Sequence, residues 1–265
     1  MDKRTILIRA AREVLLPLLS LAAFALLAGF IPRRSSSAAQ PFVAVQHESP
    51  LPIDGDPHFH LLLQNSHIRV FALALSANSQ SFVRFEHNFL SIEPEEAEVI
   101  RWREGESPVQ HFRVHRGEIQ FFLGESVRGF RNDARTGEYR TLIIEFLDSG
   151  ITTYSYRYYT GKWDFGPSLL NAPVDAEGHF VNSLDLGRAV ASDVQLLPRE
   201  FLPPSTRLQL LAPVSAVNLQ MAKRQIRLEP GQVLWLEGRD AELVNIGNEA
   251  ARFAVVELKT ANEQY

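Results

Sequence analysis

Cysteine is absent from this chain, so disulfides, thiolate metal sites and cysteine nucleophiles play no part in its fold or chemistry. Basic charge is scarce where it would matter. Of 27 Lys and Arg residues, six (Lys3, Arg4, Arg9, Arg12, Arg33 and Arg34) fall in positions 1–39, beside only Asp2 and Glu13. The remainder therefore holds 21 bases against 29 acids, which is not the electrostatic footprint of a nucleic-acid or anionic-surface binder. Beyond residue 40 no stretch of ten or more residues carries an apolar stripe at helical period. Compositional extremes are missing too: 45% hydrophobic and 22% charged residues exclude a collagen-like or wholly disordered chain. Asp164-Phe165-Gly166 echoes a kinase motif, but no Gly-rich phosphate loop or His-Arg-Asp accompanies it, so it reads as a turn. Asp54 and Asp56 around Gly55 supply too few oxygens for calcium.

What is present begins with residues 14–31, an apolar run broken only by Pro17 and Ser20. Its length spans about 27 Å as a helix, enough for a thin hydrocarbon core. Four Lys/Arg precede it and Arg33 and Arg34 follow. Two readings stand: a signal peptide cleaved near Ala39, or a retained transmembrane helix anchoring the chain with its N-terminus inside. Either places the body across the inner membrane of a bacterial cell, in the periplasm. Residues 1–39 thus form the signal or anchor, and residues 40–56, rich in Ser, Ala and Pro just upstream, read as a linker.

Short alternating or apolar runs follow, at 68–75, 97–102, 117–123, 141–147, 193–197, 214–221, 225–228, 233–236 and 253–258. Many short strands at this spacing predict an all-β sandwich or barrel. An internal repeat sharpens the expectation. Gly117-Glu-Ile-Gln-Phe-Phe-Leu-Gly124 matches Gly231-Gln-Val-Leu-Trp-Leu-Glu-Gly238; Asn132 matches Asn245; and Ile143-Ile-Glu-Phe-Leu147 matches Val255-Val-Glu-Leu-Lys259. The glycines suit tight turns at each end of a strand, and the asparagines suit turns near the left-handed region. Phe121 and Trp235 occupy equivalent places and are expected to be buried. Between the halves, at 149–178, Tyr154, Tyr156, Tyr158, Tyr159, Trp163 and Phe165 form an aromatic-rich segment, expected to pack between the halves or to present a partner surface.

At these repeats the chain resembles the two-domain bacterial cupins, over roughly 58–147 and more weakly 179–259. The opening His58-Phe-His-Leu-Leu-Leu-Gln-Asn65 looks like the first strands of such a domain. The resemblance implies two tandem double-stranded β-helix (cupin, jelly-roll) domains, at 57–148 and 179–260, preceded by the N-terminal hydrophobic helix. It also implies a pocket at one end of each barrel. Cupins commonly hold a metal there with three imidazoles and a carboxylate. Here the matching stretch is Ser81-Phe-Val-Arg84-Phe-Glu86-His87, and the histidine four residues before the motif's asparagine is replaced by Arg128 and, in the second half, by Ala241. Arginine offers no lone pair, so it cannot stand in as a ligand. No metal and no cofactor is therefore expected. Arg84, Glu86, His87 and Arg128 are instead expected to converge, either as a cross-strand tie or as a net positive pocket for a carboxylate, sulfate or phosphate. The pairs His58/His60 and His111/His115 share strand faces but lack a third ligand, and His67 and His179 carry no signal.

The leading functional expectation is a non-catalytic, cell-envelope bicupin acting as a small-molecule-binding or structural module. The alternative is a metal-independent isomerase or lyase on a sugar or organic acid, with Glu86 or His87 as base and no catalytic residue otherwise assigned. A metalloenzyme with ligands drawn from the remaining histidines is a third reading. Expected partners are a small anionic ligand, the membrane through residues 14–31 if the run is uncleaved, and a second copy of the chain in a homodimer; nucleic acid is excluded.

Overall fold

The computed structural model describes residues 49–135, 137–151, 168–169 and 180–259. The apolar run 14–31, the start of the linker and the aromatic segment from Tyr154 to Phe165 lie outside the described residues. Among the described residues no helix is long and apolar enough to cross a membrane.

Strand after strand alternates buried and exposed positions, and two stacked sheets result in each half. In the first, β1 (Leu51–Pro52), β2 (Phe59–Gln64), β3 (Ile68–Ser76), β4 (Gln80–Phe85), β5 (Phe89–Ile92), β6 (Ala97–Arg103), β7 (His111–Val114), β8 (Ile119–Phe122), β9 (Ser126–Arg131) and β10 (Glu138–Phe146) appear in order. They form sheets ordered β1-β4-β9-β6-β7 and β8-β5-β10-β3-β2, and β11 (Ser168–Leu169) extends the latter beyond β8. The second half supplies β12 (Phe180–Asp185), β13 (Ala189–Leu196), β14 (Phe201–Leu202), β15 (Ser205–Pro213), β16 (Val217–Met221), β17 (Arg224–Leu228), β18 (Leu234–Arg239), β19 (Leu243–Asn245) and β20 (Ala251–Leu258). Their sheets run β12-β13-β20-β15-β18 and β14-β19-β16-β17, so the topology of barrel 1 is repeated in barrel 2. Residues 51–56, expected as linker, belong to barrel 1: β1 pairs with β4 in parallel, and Asp56 is buried, accepting a hydrogen bond from Ser81 Oγ at 2.8 Å.

Strand register repeats between the two halves. Phe121 pairs with Leu90 of β5, and Trp235 pairs with Leu210 of β15. Asn132 donates its amide to the carbonyls of Leu75 and Gly137, while Asn245 donates to those of Leu196 and Glu249. Each asparagine Oδ1 accepts the amide two residues on, from Ala134 and Gly247. These asparagines are buried and neither is left-handed, contrary to the turn expected of them. Their spacing is kept because a buried amide must satisfy donors and an acceptor at once.

The leading glycines do take left-handed φ, +81° at Gly117 and +86° at Gly231. The trailing ones differ. Gly238 is left-handed (+92°), but in barrel 1 that conformation falls on Glu125 (+51°), one residue after Gly124. Gly124 is required for another reason: a Cβ there would lie 2.3 Å from the His87 carbonyl carbon. The spacing from leading glycine to asparagine differs by the same one residue, 15 from Gly117 to Asn132 and 14 from Gly231 to Asn245.

Three apolar clusters follow from strand alternation. One fills barrel 1 around Phe71, Phe85, Phe89, Phe122 and Phe130, and a second fills barrel 2 around Leu211, Leu219, Leu243 and Phe253. The third joins the opposite faces of the two large sheets, Leu90, Phe121, Leu142 and Ile144 against Ala191, Leu210, Ala254 and Val256. Phe121 is fully buried there, whereas Trp235 is half-buried and stacks on His67 at 6.3 Å between ring centroids. Expected equal burial of the two thus holds for one only, because Trp235 reaches the edge of the contact between barrels.

A candidate anion pocket in the first barrel

On β6 the residues Val99, Arg101 and Arg103 share one face, and Val99 belongs to the barrel interior, so both arginines point inward. Arg128 and Phe130 do the same on β9, as do Gln120 and Phe122 on β8. With the loop 104–110 they line a cavity of about 480 Å³.

Arg101 is 4% exposed and anchors a buried network. It donates from one terminal nitrogen to Gln120 Oε1 (2.7 Å) and from the other to Glu93 Oε1 (2.5 Å) and the Tyr139 hydroxyl (2.7 Å). Tyr139 in turn donates to Glu93 Oε2 at 3.1 Å. Burial works against the Arg101 charge, but Tyr139 and Glu93 outweigh it and hold its pKa above the ordinary arginine value. Burial likewise raises the Tyr139 phenol, with Arg101 opposing. Behind Gln120 lies a second carboxyl, Glu118, which accepts the His115 amide (3.0 Å) and the Gln120 side-chain amide (2.5 Å). Burial, reinforced by the charge of Glu93, pushes Glu118 above the usual carboxylate range. Arg128 is 5% exposed and sits over aromatic rings, its guanidinium carbon 4.7 Å from the Phe122 centroid and 5.8 Å from that of Phe89. Such placement favours a partly desolvated cation.

The expected meeting of Arg84, Glu86, His87 and Arg128 does not form. Val83 is the cross-strand partner of Arg128, and Arg84 is that of Val127. Side chains alternate along a strand, so Arg84 points away from the interior and is exposed. Glu86 is exposed beyond the end of β4, and His87 is half-buried; neither lines the cavity. Inward positions at this level belong to Val83 and Phe85, the latter stacked on Phe89 at 4.0 Å. Only Arg128 of the expected four reaches the pocket. Arg101, Arg103 and Gln120 complete it, with Glu93 bonded to Arg101, and the sequence singled out none of them: Ile100 and Trp102, the apolar pair of β6, cover the outer face, where the Trp102 ring stacks on Phe82, so both faces of the strand carry buried residues.

The residues present do not fit the family's metal. Among the described residues, the polar lining of the cavity is three guanidiniums, two amides, the Ser107 hydroxyl and one carboxylate, Glu106, with no imidazole, and no group of three His, Cys, Asp or Glu able to hold a metal occurs. His58 Nδ1 bonds Asp56 at 2.9 Å, His60 is exposed, and His111 stands 4.0 Å from Asp133 at the surface.

Barrel 2 differs at the same place. Ala241 replaces Arg128, and the interior polar group is Arg239, buried and donating Nε to Gln209 Oε1 at 2.6 Å. Burial lowers its pKa, with Glu257 opposing. Glu257 accepts from Ser205 (3.2 Å), Arg207 (3.3 Å) and Gln209.

No protein-family model and no curated protein sequence matches the chain. Solved structures do. AerE from Microcystis aeruginosa superposes with a TM-score of 0.56 at 12% identity, covering 80% of this chain and 98% of its own. A salicylate 1,2-dioxygenase variant from Pseudoaminobacter salicylatoxidans in complex with gentisate gives 0.53 at 11%, over 79% and 76%. The 11S globulin from Wrightia tinctoria gives 0.53 at 11%, over 73% and 76%. The fold is that of a two-barrel cupin. The chain shares this architecture with a dioxygenase and a globulin alike, so the fold leaves the choice between catalysis and binding to the site.

Proposed function

We propose that this bicupin is a non-catalytic small-molecule-binding protein of the cell envelope, in which barrel 1 binds a small anion and barrel 2 is its structural partner. The observation that carries the reading is the placement of Arg101, Arg103 and Arg128 around one aromatic-walled cavity. Guanidiniums are permanently charged, present planar forks of donors and suit carboxylate or phosphate recognition. An isomerase or lyase using Glu86 or His87 would need that base beside the arginines, and neither group lines the cavity. Export through residues 14–31 belongs to the same proposal.

The test is thermal unfolding of the full-length chain with a panel of small anions. A ligand at 100 times its Kd adds about 2.7 kcal/mol, worth roughly 5–10 °C for a body of this size. Arg128→Met is expected to abolish the shift. Turnover of a sugar or organic acid that survives Arg128→Met but not Glu86→Gln would overturn the reading. Export is tested by an alkaline phosphatase fusion after Gln40, expected to be active in a Gram-negative host; an inactive fusion with an active cytoplasmic reporter at that point would reject it.

A further inference from the structure

We infer that barrel 2 carries a contact surface for a second copy of this chain, centred on Leu197, Phe201 and Ile246. The duplication supplies an internal control. In barrel 1 the Asn132 amide donates to the Ser79 carbonyl, and the Asn132 carbonyl accepts from Asn78; in barrel 2 Asn245 makes the same two bonds with Glu200 and Arg199. That register makes Ser76, Gln80 and Asp133 the equivalents of Leu197, Phe201 and Ile246. All six positions are exposed, yet barrel 1 fills its three with polar residues and barrel 2 with large apolar ones, 38%, 43% and 38% exposed. The barrel itself has no need of apolar groups there. Each of the three directly follows a member of one hydrogen-bonded knot, Leu196, Glu200 and Asn245, so they gather on one rim. A gathered apolar patch marks a contact in a way that scattered side chains do not.

The backbone at the same rim agrees. It is left-handed in both barrels, with φ +61° at Asn78 and +74° at Arg199. Asparagine tolerates that region and arginine does so less readily, so Arg199 is kept for the exposed side chain it presents.

The occupant follows from the edge and from the charges. Among the described residues β14 has one neighbour, β19, and exposed Pro198, Pro203 and Pro204 flank it. Proline brings no N–H to a ladder, so the partner packs against side chains and does not add a strand. The patch also carries both signs: Arg199 stands between Leu197 and Phe201, and Glu249 lies in the turn that begins at Ile246, both exposed. Across a two-fold axis the patch meets itself, Arg199 facing Glu249 of the partner subunit twice while the apolar side chains close over the axis. A bilayer offers Glu249 no counter-charge, and the acidic excess beyond residue 39 opposes an anionic one.

The absence of cysteine makes the surface directly testable in the full-length chain, held in mild detergent. Ile246→Cys is expected to form a disulfide-linked dimer roughly tenfold faster than Asp133→Cys, its exposed equivalent in barrel 1. In sedimentation the native chain is expected to dimerise, and Phe201→Ser, Arg199→Glu or Glu249→Arg should each raise the dissociation constant about tenfold or more. The two charge reversals combined should return it to within about threefold of native. Equal cross-linking at Ile246→Cys and Asp133→Cys would overturn the surface, as would a dimer indifferent to all three substitutions. A native chain that stays monomeric would overturn the second copy as occupant. If a bimane label on Ile246→Cys in that monomer then shifts to the blue with phosphatidylcholine vesicles, the patch belongs to a lipid surface instead.

Discussion

The two barrels share one topology and one pair of buried asparagines, yet they treat buried charge in opposite ways. Barrel 1 keeps a cavity and surrounds it with Arg101, Arg103 and Arg128, two of them nearly inaccessible to solvent. Barrel 2 places Ala241 where Arg128 would be and brings Arg239, Gln209, Ser205 and Arg207 together with Glu257 as one cross-strand tie. Duplication preserves what every barrel needs, which is its turns, its asparagine anchors and its apolar interior. What differs is the polar content of the interior, and that is the part free to specialise for a ligand.

The comparison predicts its largest asymmetry at the buried carboxylates. Glu93→Gln leaves the Arg101 charge buried beside a neutral amide and should cost roughly 3–5 kcal/mol in urea unfolding. Glu257→Gln removes a partly exposed carboxylate whose partner Arg207 reaches solvent, and should cost about 1 kcal/mol. Equal costs would mean that the barrels do not differ as described. Next come the equivalent aromatics between the barrels. Phe121→Ala should cost about 3–5 kcal/mol, and Trp235→Ala less than half of that, because Trp235 is only half-buried. The reverse order would place the tryptophan in the core and contradict the register. Asn132→Ala and Asn245→Ala should cost the same, about 1–3 kcal/mol each, since each removes the same set of bonds. A difference greater than about 1 kcal/mol between them would break the duplication at its clearest point.

The smallest effect is in pH. Glu118 has a folded pKa raised above its unfolded value, so the folded protein holds that proton more tightly. Stability therefore falls as pH rises from about the ordinary 4.5 through the folded pKa, and is recovered as pH is lowered across that window. Glu118→Gln should flatten this slope, read from melting temperature against pH. An unchanged slope would remove Glu118 as its source.

Much of the architecture was legible in the residues. Left-handed turns leave glycines at Gly117 and Gly231, and buried asparagines leave a fixed spacing at Asn132 and Asn245, because no other side chains meet those needs as well. The site was legible only in part. Arg128 could be found from its distance to Asn132. The face of β4 could not, because Ser81-Phe82-Val83-Arg84-Phe85 carries aromatic residues on both sides: Phe85 packs inside, and Phe82 stacks outside on Trp102. Gly129 completes that outer layer, since a Cβ there would lie 1.9 Å from the Trp102 ring. When both faces of a strand are covered, period-two alternation no longer says which is inward. The same failure hid Arg101 and Arg103, whose inward charges are intelligible only once Glu93, Tyr139 and Gln120 are seen to receive one of them.

The central claim is that barrel 1, and not barrel 2, holds an anion in its interior. Its most direct measurement is the shift in melting temperature with the panel of small anions in three full-length proteins: the native chain, Arg128→Met and Arg239→Met. The account predicts a shift in the native chain, none in Arg128→Met, and an undiminished shift in Arg239→Met. A shift that survives loss of Arg128 and vanishes with Arg239 would contradict it.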